Sequence, residues 1–138
     1  MHSQVNDVSA AIIGAAIEVH RILGPGLLES AYEHALAHEL ALRQIPYERQ
    51  KRLPLDYKGI HLHCGYRLDL LVASVVVVEI KAIDTLLPLH QAQLLSYLKL
   101  GGWKVGLLIN FHVPLLRQGI KRIVLGLEET SKFSAPLR

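Results

Sequence analysis

The sequence predicts an α/β fold, a central mixed β-sheet flanked by α-helices. Three observations carry this. The chain opens with two segments of helical periodicity. Its middle is rich in β-branched and aromatic residues punctuated by turn signals. A third helical segment then interrupts the strand-like segments before the C-terminal part.

Taken in order, Val5, Val8, Ile12, Ala16, Val19 and Leu23 recur at spacings of three and four, which predicts an amphipathic helix over Val5–Leu23. Gly24-Pro25-Gly26 stops it. A second helix is expected from Leu27 to Arg43, its apolar side built from Leu28, Ala31, Ala35, Leu36 and Leu40, with Pro46 beyond its end. Tyr47–Tyr57 is mixed polar and basic, with two extended segments around Pro54, and Lys58-Gly59 reads as a turn. Ile60–Cys64, Tyr66–Val72 and Val75–Ile83 read as strands, the last two joined as a hairpin through Ala73-Ser74. Pro88 precedes a third helix, His90–Leu100, closed by Gly101-Gly102. Trp103–Phe111 reads as a strand buried on both faces, and Trp103 as a packing residue. Ile120–Leu125 fits a strand or a helix, and residues 130–138 are expected to fray.

Composition bounds the function. A chain of 138 residues fits one domain. Its residues are 51% apolar and 20% charged, and its mean hydropathy is +0.28, which excludes a disordered chain and demands a core, an interface or both. Net charge is +3, from 15 Lys+Arg against 12 Asp+Glu, so this is not a strongly basic nucleic-acid binder, although a pI near 9.1 permits one. A single cysteine, Cys64, excludes an intramolecular disulfide framework and a Cys-rich zinc site. The N-terminus lacks a basic region followed by an apolar one, and no apolar run approaches the ~20 residues of a membrane span. The expectation is a cytoplasmic protein.

In so oily a chain the informative residues are acids. Glu79 and Lys81 interrupt an otherwise apolar strand, and alternation projects them to one face. Burying charges there is expensive unless they are paired or bind a metal. Asp69 lies on the preceding strand. If Ala73-Ser74-Val75 forms the loop, Val72 faces Val76 and Asp69 faces Glu79. If the loop is Ala73-Ser74 alone, Asp69 faces Val78 and the acids part. In the first register two carboxylates repel each other, and a divalent cation removes the repulsion. The plainer alternative is a Glu79–Lys81 pair on a sheet edge with Asp69 solvated. Gln93 and Tyr97 share a helix face at i, i+4, as residues at a half-buried boundary also would. Glu29 opens the second helix, where the dipole favours a carboxylate, and Tyr32 follows three residues later, so both can point toward one site.

Gly26-Leu27-Leu28-Glu29-Ser30-Ala31-Tyr32 resembles the signature of the GxxExxY proteins, a branch of the PD-(D/E)XK nuclease-like superfamily. The resemblance extends to His20–Gly26, Tyr66–Val72, Val78–Ala82, Gln93–Lys99 and Gly106–Phe111, in the family's order, and covers about Val8 to Leu127. Leu68 stands where the superfamily often carries a proline before the Asp. The resemblance implies a restriction-endonuclease-like core and a metal-dependent phosphodiesterase. Asp69 and Glu79, with the Ile80 main-chain carbonyl, would ligate Mg²⁺ (or Mn²⁺). Lys81 would position or activate the attacking water, and Glu29 would complete the acidic cluster, with the helix-borne Glu33 in or beside the site but without an assigned role. Gln93, Tyr97 and Tyr32 would support the site or contact substrate. The implied partner is nucleic acid, DNA first, and the apolar content suggests a homodimer.

Other clusters read more plainly. His61, His63 and Cys64 are better explained as solvated or core-lining than as a zinc site. His90 lies at the start of the Gln93 helix without a catalytic assignment. Arg49-Gln50-Lys51-Arg52, and Arg117 with Lys121 and Arg122, are solvated faces by default and phosphate contacts if DNA binds. The competing reading is a non-catalytic nucleic-acid-binding or accessory module that retains the fold. The full set Glu29, Asp69, Glu79, Lys81 argues against it, because a binding module has no need of it.

Overall fold

A computed structural model describes residues 2–126; the C-terminal stretch expected to fray lies outside them. Two helices, α1 (His2–Leu23) and α2 (Glu29–Leu42), come first, followed by five of the seven strands among the described residues. These are β1 (Tyr47–Arg52), β2 (Leu55–Tyr57), β3 (Ile60–Leu62), β4 (Arg67–Val72) and β5 (Val76–Lys81). Helix α3 (Pro88–Gly101), β6 (Val105–Asn110), a 3₁₀ turn (Leu116–Gly119) and β7 (Ile120–Val124) follow. The ambiguous last segment is therefore a strand. Gly24, at φ 70°, ends α1 where a side chain would be strained.

The main sheet has the order β1-β4-β5-β6-β7. Only β5 and β6 run parallel, and the connection between them carries α3, as a parallel pair requires a crossover. Helices α1 and α2 cover one face, where Ile12, Ala16, Tyr32, Leu36 and Leu40 meet Val72, Val78, Ile80, Leu107 and Ile109. Helix α3 covers the other, where Leu94, Tyr97 and Leu98 meet Leu68, Leu71, Val77 and Leu108. Trp103 packs on this second cluster. Gly106 lets α3 approach closely, because a Cβ there would come within 2.9 Å of the Leu94 side chain. Strand β6 is buried along its whole length, which explains its unbroken apolar run. The short β2–β3 hairpin, turned at Lys58-Gly59, leaves the main sheet and pairs only with itself.

The β4–β5 register sets the position of the acids. Val72 pairs with Val76, Leu71 with Val77 and Leu70 with Val78, so the three-residue loop is the one adopted. Its geometry reconciles the two alternatives. Ala73 (φ 52°) and Ser74 (φ 62°) form a tight turn closed by Val75 N–H donating to Val72 O at 3.0 Å, and Val75 is an additional, bulged residue. The bulge shifts the pairing by one and brings Asp69 opposite Glu79. Strand β5 is the middle strand of five, so the sheet-edge reading of Glu79 and Lys81 does not hold.

Candidate functional site

Regular pairing of β4 with β5 ends at Leu70–Val78, and beyond it the carboxylates replace the ladder. Glu79 Oε2 accepts from the Asp69 N–H at 3.0 Å, and Asp69 Oδ2 accepts from the Ile80 N–H at 2.8 Å. Each acid thus holds the other's strand. Strand β4 also breaks its alternation here, since Leu68 and Leu71 pack on the α3 face while Leu70 packs on the α1/α2 face. Opposite the break, Gln50 on β1 has φ 50°, a left-handed conformation rare for a residue with a side chain. Strain of this kind clusters at functional sites.

The strain has a visible result. Gln50 Nε2 donates to Glu33 Oε1 at 2.8 Å and to Asp69 Oδ1 at a long 3.4 Å, linking α2 to the strand acids. Glu33 is nearly buried and takes two further bonds from Arg49, through Nη2 at 3.0 Å and Nε at 3.2 Å. Burial raises the Asp69 carboxyl above its ordinary range, against the lowering effect of the Ile80 N–H, and the negative charge of Glu33 adds to the rise. Glu79 is pushed up to about 8, first by burial and then by the charge of Asp69. Lys81 opposes both shifts from the next position on its face, yet forms no ion pair among the described residues. Ionising both members of the pair is therefore costly, and Glu79 is the one that holds its proton.

The other expected site residues divide. Tyr97 is nearly buried on α3, packed on the sheet face with Leu68 and Val77, and burial followed by the charge of Glu79 raises its hydroxyl pKa. Gln93 stands exposed one turn earlier on the same helix. Glu29 is exposed at the start of α2 and reaches the Ala82 N–H at 3.4 Å, just past Lys81. Glu33, four residues on and one turn along the same face, is the α2 acid whose charge Asp69 and Glu79 feel. Tyr32 requires a correction. It is fully buried, stacked on Phe111 with centroids 4.4 Å apart, and its hydroxyl donates to Gly24 O and accepts from Leu27 N–H. It shapes the turn before Glu29 and has no surface to offer a substrate.

Some residues with inviting chemistry are structural. His20 bonds Val113 O at 2.8 Å, and His90 Nδ1 accepts from the Leu87 N–H at the start of α3. Buried Asn110 ties Ile83 to β6 through both its amide atoms. His61 pairs with Asp56 on the exposed β2–β3 hairpin. Sequence reasoning did not assign Arg49 or Gln50 to the site. The i, i+4 spacing of Glu29 and Glu33 was a usable signal for Glu33, whereas nothing local announces the conformation of Gln50.

Among the described residues, no group of three or more His, Cys, Asp or Glu side chains is arranged to hold a metal. Two carboxylates remain, with the Ile80 carbonyl, which in extended backbone points to the same side as the N–H that Asp69 holds. This all-oxygen set of few protein ligands fits a hard cation such as Mg²⁺, which keeps several waters. The helices on both faces of one mixed sheet are consistent with a restriction-endonuclease-like core. A family model for the PD-(D/E)XK nuclease superfamily matches residues 6–123, and the chain belongs to that superfamily. Comparison with curated proteins and with solved structures gave no match.

Proposed function

We propose that the protein is a divalent-metal-dependent nuclease that hydrolyses phosphodiester bonds in DNA. The single observation that carries the reading is the Asp69–Glu79 pair. Two carboxylates face each other on the central strands of an apolar sheet, one of them pushed up to about 8, with Lys81 alongside. Such a pair destabilises the metal-free fold, and a cation between the carboxylates relieves it. Asp69, Glu79 and the Ile80 carbonyl would hold Mg²⁺ (or Mn²⁺), which when bound supplies Lewis acidity toward the phosphate.

Lys81 presents an ammonium beside the acids, where it orients the attacking water and offsets charge developing on the phosphate oxygens. Glu33, fixed by Arg49 and Gln50, holds Asp69 in place through the Gln50 amide. Glu29, at the start of α2, reaches the main chain just past the end of β5. Tyr97 and Gln93 line the approach from α3. The Gly26–Tyr32 pattern supports placement in the GxxExxY branch.

We further propose a cytoplasmic homodimer. No helix among the described residues is long and apolar enough to cross a membrane, and Ile22 and Leu28, on either side of the α1–α2 turn, are 63% and 77% exposed, apolar side chains that a second copy would cover. The test is cleavage of a panel of single-stranded, duplex and branched DNA and of RNA, with Mg²⁺ or Mn²⁺, by wild type beside Glu79→Ala and Lys81→Ala. Metal-dependent cleavage lost in both variants is the expected result; cleavage that persists in both removes the assigned site.

A further inference from the structure

Beyond the acids lies a second feature that the reaction does not explain. Arg52 at the end of β1 and Arg67 at the start of β4 are direct cross-strand partners. Like charges directly opposite in a sheet are destabilising. Neither arginine forms an ion pair among the described residues, although Arg49 and Lys51 on the same strand both do. Both line an open cavity of about 320 Å³ between the main sheet and the β2–β3 hairpin. Leu53, Pro54, Leu62 and Tyr66 give it apolar and aromatic lining, beside His61, His63 and Cys64. The hairpin that encloses it is the element that leaves the main sheet, and Gly65 (φ 77°) turns the chain back into β4.

The cavity adjoins the acids. The Tyr66 ring, 40% exposed, lies 5.9 Å from the Tyr97 ring, and Tyr97 is the α3 residue that feels the charges of Glu79 and Asp69. Two arginines without an ion pair among the described residues, apolar side chains and an exposed aromatic thus line one cavity, and Arg67 stands two residues before Asp69 on β4. Guanidinium pairs suit phosphate geometry. An aromatic side chain beside apolar ones suits the face of an unstacked base.

We propose that this cavity is a nucleotide subsite for unpaired DNA. Arg52 and Arg67 clamp one backbone phosphate, and the adjoining base lies against Tyr66, which delivers the next stretch of strand to Asp69 and Glu79. The assignment rests on the nuclease reading and deepens it by naming single-stranded DNA, or an unpaired segment within a longer molecule, as the substrate class. A base held in a duplex stack cannot enter a pocket of this kind without unpairing.

The test is fluorescence anisotropy on the full chain in EDTA, with a labelled oligothymidylate and a duplex of equal length, across a salt series. The single strand is expected to bind more tightly. The double variant Arg52→Gln, Arg67→Gln is expected to lower the magnitude of the log K against log salt slope by about 0.7, the contribution of one phosphate contact on a single strand. Tyr66→Leu should weaken single-strand binding roughly tenfold and leave the slope unchanged. Removing a like-charge pair should not lower the Tm, and each arginine replaced singly provides a folded control. An unchanged slope in the double variant, or equal duplex binding with the same arginine dependence, overturns the subsite. Parallel cleavage assays with Mg²⁺ separate the two claims. Cleavage by wild type with arginine-independent binding removes the subsite alone. Arginine-dependent single-strand binding without cleavage of any substrate removes the nuclease reading and leaves the subsite standing.

Discussion

Replacing Glu79 with glutamine should stabilise the metal-free protein, and the gain should grow with pH. Glu79 titrates near 8 in the fold, against its ordinary 4.5. Below 4.5 the residue is protonated in both folded and unfolded chains and carries no penalty. Between 4.5 and 8 the folded chain retains a proton that the unfolded chain has released, so stability falls by about 1.4 kcal/mol per pH unit. Above 8 both states are ionised and the penalty levels off at up to about 5 kcal/mol. The groups facing Glu79 are Asp69, Lys81, Glu33 and Tyr97. Glutamine keeps an oxygen to accept from the Asp69 N–H, does not ionise, and relieves Asp69 of its neighbour's charge. At roughly 3–4 °C per kcal/mol for a chain of this size, the Tm gap between variant and wild type should widen by up to roughly 15 °C between pH 5 and pH 9. Thermal unfolding followed by circular dichroism in EDTA reads this directly. Adding Mg²⁺ at a hundredfold excess over its Kd should restore about 2.7 kcal/mol to wild type and nothing to the variant. Unfolding curves that stay parallel across pH, with no response of wild type to the cation, would refute the reasoning.

Other residues make separate predictions. Lys81→Ala should lower kcat by about 10²–10³ while calorimetric Mg²⁺ affinity stays within a fewfold of wild type, because the ammonium is assigned to the reacting groups and not to the metal. Gln50→Ala should be less stable than Gln50→Gly by about 1 kcal/mol in urea unfolding, since both lose the bonds to Glu33 and Asp69 but only alanine retains a strained left-handed backbone. Tyr32→Phe should cost about 1–2 kcal/mol through its two lost hydroxyl bonds. It should leave DNA Kd unchanged, and a rise in Kd would restore Tyr32 as a substrate contact.

The layered fold was legible because its apolar residues follow periods that physics enforces. Ile12, Ala16 and Val19 repeat along one side of α1, and Val76–Val78 runs unbroken because β5 is covered on both faces. The acids were legible for the complementary reason: Asp69 and Glu79 stand where the same pattern demands apolar residues. Their register was ambiguous because Ala73-Ser74 lacks the glycine or asparagine that usually marks a tight turn, and the bulged Val75 decides the pairing. The β2–β3 hairpin read as two more strands, since local sequence does not say which strands share a sheet. Gln50 was illegible because its left-handed backbone answers to Glu33 and Asp69, residues remote in sequence. Arg52 and Arg67 become a pair only through the β1–β4 register. Tyr32 shows the reverse case, where the residue was singled out correctly but its hydroxyl turns inward to Gly24 and Leu27.

The central claim is that Asp69 and Glu79 make a divalent-metal nuclease centre. Its most direct test is cleavage of a single-stranded DNA substrate by wild type and by Glu79→Gln, with EDTA, Mg²⁺ or Mn²⁺. Folding is verified by circular dichroism on the same samples. The account predicts cleavage by wild type only when the cation is present, and none by a variant that is folded and at least as stable. Cleavage by Glu79→Gln at the wild-type rate, or wild-type cleavage indifferent to EDTA, would contradict it.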